Sequence, residues 1–118
     1  MSLSAKQQLF SRLIARLILD LTRRGFEVTF GEAYRTPEQA QLNAKRGIGI
    51  ANSLHCQRLA IDLNLFENGK FLTETSEYLI AGELWESYST MEYECAWGGR
   101  FKTNPDGNHF SISHNGIR

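Results

Sequence analysis

Three histidines and a handful of carboxylates hold most of the chemistry open to this 118-residue chain. His55 stands seven residues before Asp62, where a glycine-rich loop runs into an apolar stretch. His109 stands three residues after Asp106 and opens a short apolar run. Neutral imidazole and carboxylate oxygen are both good zinc ligands, and a catalytic zinc commonly takes three protein ligands and keeps one position for water. His55, Asp62 and His109 satisfy that count. Asp106 is then left over as a carboxylate able to serve as general base. The same spacing also fits a surface-loop histidine, an edge-strand aspartate and a plain Asp106-Gly107 turn. His114 has no carboxylate at useful spacing and reads as a solvated tail residue.

The elements that must position these groups follow from periodicity. Leu9, Phe10, Leu13, Ile14, Leu17, Ile18 and Leu21 recur at helical steps and form one apolar face, with arginines opposite. Gly25, after Arg23 and Arg24, reads as the stop. Phe26 to Phe30 alternates and is rich in β-formers, so it reads as a strand. Thr36-Pro37-Glu38-Gln39 starts a short helix, with Thr36 as cap and Gln39 closing a capping box, running to about Arg46. Gly47 to Ser53 is a loop of small residues. Leu59 to Phe66 is a second strand, turned at Asn68-Gly69 into a return strand over Lys70 to Leu72. Thr73 to Ser76 caps a further helix whose apolar face is Tyr78, Leu79, Leu84 and Trp85. Trp97 to Gly107 is turn-rich, and His109 to Ile112 is a last strand. The expected architecture is α+β, a small antiparallel sheet with flanking helices.

Bulk properties exclude several classes of function. The length fits one domain spanning residues 1–118. Thirteen basic and thirteen acidic residues cancel, so the basic excess of a nucleic-acid binder is missing. No apolar run approaches the ~20 residues needed to cross a bilayer, and no stable membrane association is expected. The N-terminus lacks the charged-then-apolar order of a signal peptide, which implies synthesis in the cytoplasm. Cys56 and Cys95 are too few for a disulfide framework and are expected to be unpaired.

Four segments add a resemblance. Ser53-Leu54-His55-Cys56-Gln57-Arg58-Leu59-Ala60-Ile61-Asp62-Leu63 resembles the first signature of the LAS metallopeptidases, Ser-x-His, six residues, Asp-Leu. That family includes D-Ala-D-Ala carboxypeptidases and dipeptidases and phage L-alanyl-D-glutamate endolysins. Asp106-Gly107-Asn108-His109-Phe110 resembles its second signature. Trp97-Gly98-Gly99 and Tyr34-Arg35-Thr36 are similar to two further elements, in the same order. The resemblance implies a hedgehog/D,D-peptidase-like fold, Zn2+ held by His55, Asp62 and His109, and Asp106 as general base. It implies Arg35 as the cation that steadies a substrate carboxylate or the oxyanion, although an arginine before a helix cap is ordinarily a surface residue. Ser53 reads either as a substrate contact or as a loop brace, and Trp97 either as a cleft wall or as a buried structural residue.

The implied activity is hydrolysis of an amide in the peptidoglycan stem peptide, with L-Ala–D-Glu as the expected bond. Asp in Asp106-x-x-His109 is similar to the endolysin branch, whereas the dipeptidases carry Glu. A phage or prophage endolysin of this kind, expected to be a monomer, would reach the wall through a membrane pore. Alternatives are a D,D- or L,D-carboxypeptidase, a non-catalytic zinc-binding module and a structural protein of a phage particle. Three departures from the family pattern stand out: Arg58 where many relatives have glycine, Arg100 after the Trp-Gly-Gly segment, and Ser111 after His-Phe.

Overall fold

The apolar repeat near the N-terminus folds as α1 (Leu3–Arg23), which starts ahead of the repeat because the Ser2 hydroxyl accepts the Ala5 N–H at 3.1 Å. In the computed structural model, which describes residues 1–118, Gly25 at φ +93° ends this helix and sends the chain into β1 (Phe26–Phe30). The chain continues through α2 (Pro37–Lys45), β2 (Ala60–Glu67), β3 (Lys70–Phe71), α3 (Leu79–Ser87), β4 (Cys95–Trp97) and β5 (His109–Ile112). The strands form one antiparallel sheet in the order β1-β2-β5-β4, and β3 pairs with the far end of β2. This is the α+β architecture expected from the sequence, and no helix is long and apolar enough to cross a membrane.

Side chains on successive strand residues point to opposite faces, and β2 uses that rule to divide labour. Ile61, Leu63 and Leu65 are buried, while Asp62 and Asn64 between them are only partly so. The buried set packs with Leu13, Ile14, Leu17 and Leu21 of α1 and with Trp85 of α3. The Trp85 indole N–H donates to the carbonyls of Ala96 (3.1 Å) and Ser111 (2.9 Å), tying α3 across β4 and β5. Asp62 is thereby presented on the opposite face, away from the helices.

Several local expectations are revised. Thr36 does cap α2, accepting the Gln39 N–H at 3.1 Å, but the Gln39 side chain donates to Asn43 at 2.7 Å and closes no capping box. The helix after β3 is capped from within the expected Thr73–Ser76 segment, with Glu74 at the cap position. The Glu77 carboxylate accepts the Glu74 N–H at 3.0 Å and the Thr73 N–H at 3.2 Å, closing a short 3₁₀ turn that leads into α3. Leu79 is exposed, and the buried residues of α3 are Ala81, Gly82 and Trp85. β4 lies just ahead of the turn-rich region and has no sequence signal, since three residues are too few to show an alternation. His114 is half-buried, not a solvated tail residue: its Nδ1 lies 3.1 Å from Lys6 Nζ, and its backbone bridges to Ile117. Asn68 and Gly69 both take positive φ (+53° and +77°), as the Asn-Gly hairpin signal requires. Cys56 and Cys95 are free thiols, and burial pushes that of Cys95 up to about 12.

Gly82 lies against Trp97 so closely that a Cβ there would sit 2.1 Å from the indole ring. A helical Gly→Ala change ordinarily gains about 1 kcal/mol. The Trp97 ring is only 3% exposed and has nowhere to move, so overpacking wins. Gly82→Ala is expected to lower stability by about 1–3 kcal/mol, read as a lower urea midpoint at unchanged m-value.

Candidate metal centre

β2 and β5 pair in a register that sets Asp62 directly opposite His109. Residues opposite one another in an antiparallel pair project to the same face, so both side chains reach the open face of the sheet. His55 arrives from a 3₁₀ turn (Leu54–Gln57) whose cap is Ser53: the Ser53 hydroxyl accepts the His55 N–H at 3.2 Å. The turn exits through Arg58 in the left-handed conformation (φ +56°, ψ +36°). His55 Nε2 then lies 3.4 Å from Asp62 Oδ1, and His109 Nδ1 lies 3.8 Å from the same oxygen. One candidate ligand atom from each of the three residues falls within 4.8 Å of the other two.

Two observations test whether a cation fits here. Asp62 Oδ1 and His109 Nε2 are both buried without any hydrogen-bond partner. A buried polar atom left in that state costs about 1–3 kcal/mol, more if charged, and a metal ion at the centre would satisfy the carboxylate oxygen. The second is the tautomer of His55. Its Nδ1 lies 3.1 Å from the Ala33 carbonyl, which can only accept, so Nδ1 carries the proton and Nε2 presents its lone pair inward. The donor set of two imidazoles and one carboxylate suits zinc.

The electrostatics agree. Burial, and then the neighbouring His55 charge, push His109 down to about 4, so its ring is neutral near pH 7. Burial also pulls on His55, but the Asp62 carboxylate 3.4 Å from its Nε2 outweighs it and leaves its pKa raised. Asp106 is raised above the ordinary carboxylate range, by burial first and by the Asp62 charge second. A carboxyl shifted upward beside a cluster of ligands is what acid–base work requires.

The other expected site residues separate into two groups. Arg35 reaches the cleft with its side chain 15% exposed. Glu32 holds its Nε at 3.0 Å and also bonds Nη2, and the Glu32 hydrogen bond raises the guanidinium pKa. Ser53 lines the cleft, but its hydroxyl braces the His55 turn. Trp97 is not a cleft wall: its indole is buried and donates to the Gly107 carbonyl at 2.7 Å, which anchors the Asp106-Gly107 turn. Gly98 lets that turn approach, since a Cβ there would lie 2.1 Å from the Asp106 carbonyl oxygen. The Trp-Gly-Gly segment therefore positions Asp106 and His109 from behind.

Sequence reasoning missed Glu32, the Ala33 carbonyl and Phe101, whose ring lies 5.3 Å from the His109 ring. All three sit in irregular chain with no periodic signal. Arg35, His55, Asp62, Phe101, Asp106 and His109 line a cleft of about 740 Å3, with Gly47 to Ile50 along its rim. Of the departures from the family pattern, Arg58 keeps the glycine-like backbone and stacks over Tyr34 at 4.0 Å. Arg100 pairs with Glu86 outside the cleft, and Ser111 is fully buried with its hydroxyl unpartnered.

Comparison with known proteins adds two findings. The model of a family described as D-alanyl-D-alanine carboxypeptidase matches residues 46–112, a span that contains His55, Asp62, Asp106 and His109. The crystal structure of the Serratia marcescens L-Ala D-Glu endopeptidase ChiX is similar in fold. Its TM-score is 0.67 at 23% identity, covering 88% of this chain and 77% of that one. No curated protein matches by sequence.

Two outcomes are expected from this geometry. Zinc at one hundred times its Kd should stabilise the protein by about 2.7 kcal/mol, seen as a rise in Tm. The Tm of His109→Ala should not respond to zinc. At Arg58 the left-handed backbone costs a non-glycine residue roughly 1–2 kcal/mol. Arg58→Gly relieves it, whereas Arg58→Ala keeps it and loses the stack over Tyr34. The glycine variant should therefore be the more stable of the two by about 1 kcal/mol in urea unfolding.

Proposed function

This chain belongs to the D-alanyl-D-alanine carboxypeptidase family of peptidases, and from that premise we propose that it is a zinc-dependent hydrolase of the peptidoglycan stem peptide. The observation that carries the reading is the His55–Asp62–His109 cluster with the Asp106 carboxylate beside it. In this reading residues 1–118 form one catalytic unit, and the three clustered residues hold the metal. Zinc, when bound, supplies Lewis acidity that polarises the scissile carbonyl and acidifies water at the site.

The chain's own groups supply the rest. Asp106 takes the proton of the attacking water and returns it to the departing amine; its raised pKa suits both halves of that transfer. Arg35 is held by Glu32 through Nε and Nη2, and Nη1 makes no hydrogen bond within the protein. Nη1 is the donor left for a substrate carboxylate or for the oxyanion that develops on the carbonyl. The Ala33 carbonyl and the Ser53 hydroxyl keep the His55 ring in one tautomer and one orientation.

For the bond cleaved, we favour L-Ala–D-Glu and the role of a phage or prophage endolysin acting on the wall after release from the cytoplasm. The fold likeness to ChiX, an L-Ala D-Glu endopeptidase, supports the choice of bond. A carboxypeptidase that removes terminal D-alanine is the second reading, favoured by the family description. Purified peptidoglycan digested with the zinc-loaded protein separates them. New amino groups on D-Glu mark the endopeptidase, and free alanine marks the carboxypeptidase. No chelator-sensitive product at all would overturn both. Asp106→Asn should lower kcat by about 10²–10⁴-fold with zinc content unchanged; full activity in that variant would remove Asp106 from the mechanism.

A further inference from the structure

Two strands flank one edge of β2 without meeting. β5 pairs with Ala60 to Asp62, β3 pairs with Phe66 and Glu67, and a gap remains between them. A pocket of about 270 Å3 opens at that gap, divided from the metal cleft by the turn of Pro105 and Asp106, which lines both. Tyr78 closes its floor: the hydroxyl accepts the Leu65 N–H at 3.2 Å and donates to the Leu72 carbonyl at 2.8 Å. The Asp106-Gly107 turn presses on a second wall, since a Cβ at Gly107 would lie 2.8 Å from Thr75 Cα. Asn64 stands two residues after Asp62 on the same open face of β2, about 7 Å along the strand. The pocket and the candidate metal ligands are therefore within reach of one ligand.

The lining differs in kind from that of the cleft. Asp106 is its only charged residue. Asn64, Thr73, Thr75 and Asn108 bring two amides and two hydroxyls, and none of these side chains makes a hydrogen bond within the protein. At one end Phe71, 48% exposed, is held against Phe66 with ring centroids 5.3 Å apart. The main chain offers little. The Leu63 N–H is taken by the Asn108 carbonyl at 2.9 Å, the Leu65 N–H by Tyr78, and the Leu72 N–H by the Leu65 carbonyl at 2.9 Å. An added peptide strand, which binds through such main-chain groups, finds no ladder here. A carboxylate would meet Asp106 and no cation, and a cation only Asp106, which also lines the cleft. An aliphatic group would strip water from four polar side chains without replacing their hydrogen bonds. A ring of neutral hydroxyl and amide groups with an apolar C–H face satisfies both the side chains and Phe71.

We propose that this pocket binds a sugar ring carrying an acylamino group, attached to the peptide whose amide lies at the metal cleft. The proposal rests on the hydrolase reading above and adds to it a second, carbohydrate-binding site for the same substrate. Phe71 stacks on the C–H face of the ring, and Asn64 and Asn108 hydrogen-bond its hydroxyls and acylamino group. The short path from Asn64 to Asp62 restricts the effect to an amide near the sugar. An amide several residues away, on an extended chain, overshoots the pocket.

The test compares the zinc-loaded wild type with Asn64→Ala and Phe71→Ala on one stem peptide, with and without an N-acetylated sugar at its amino end. A net gain of one or two hydrogen bonds corresponds to about tenfold, so the wild type should favour the sugar-bearing peptide by about that factor in kcat/KM, chiefly through KM. Each variant should bring the ratio towards one at wild-type zinc content. In a parallel titration followed by NMR, N-acetylglucosamine alone should move the signals of Asn64, Phe71 and Asn108. A ratio of one in the wild type, or a ratio that both substitutions leave unchanged, would overturn the subsite. Equal loss on both peptides in Asn64→Ala would make the pocket a peptide contact, which also overturns it. Cleavage of neither peptide by the wild type would overturn the hydrolase reading. The sugar titration then decides the pocket by itself, and unmoved signals would overturn it too.

Discussion

The pairing of β2 with β5 is the constraint on which the candidate site depends. Because Asp62 faces His109 in that register, a slip of one residue on either strand would turn one of the two into the helix-packed face. What prevents the slip is apolar: Ile61, Leu63 and Leu65 bury on α1 and α3, and Trp85 clamps the backbone of β4 and β5 from the same side. The candidate metal ligands are thus held in place by hydrophobic burial on the face opposite to their own. The cost of desolvating a carboxylate and two imidazoles is carried by a core in which none of them takes part.

Around that pair, the remaining site groups are delivered by short irregular segments whose conformations are individually secured. Ser53 caps the turn that carries His55, and Arg58 closes the turn in a left-handed conformation with its guanidinium over Tyr34. Gly98 and the buried Trp97 indole let the Asp106 turn press against β4 and hold it there. Glu32 does for Arg35 what Ala33 does for His55: each fixes an orientation through a hydrogen bond just outside the reacting zone. A site built this way can hold its charges in one geometry with little reorganisation, the condition under which electrostatic stabilisation is most effective.

Sequence alone determined the elements with enough length to show a period: α1, β1, the β2–β3 hairpin with its Asn-Gly turn, and β5. It also made His55, Asp62, Asp106 and His109 legible, because ligand chemistry restricts residue type and because their spacing resembles a known family. Tertiary structure alone decided what those residues touch. The partners of Arg35 and His55, Glu32 and the Ala33 carbonyl, lie in chain without repeat or turn chemistry, so no local pattern announces them. Trp97 could be read as wall or as core until its indole was seen bonded to Gly107, away from the cleft. Within the Thr73–Ser76 segment that caps the helix, only the folded chain selects Glu74 as the cap, since several residues there could serve. Periodicity and ligand chemistry are written along the chain; which polar atom meets which is settled only when distant segments close on one another.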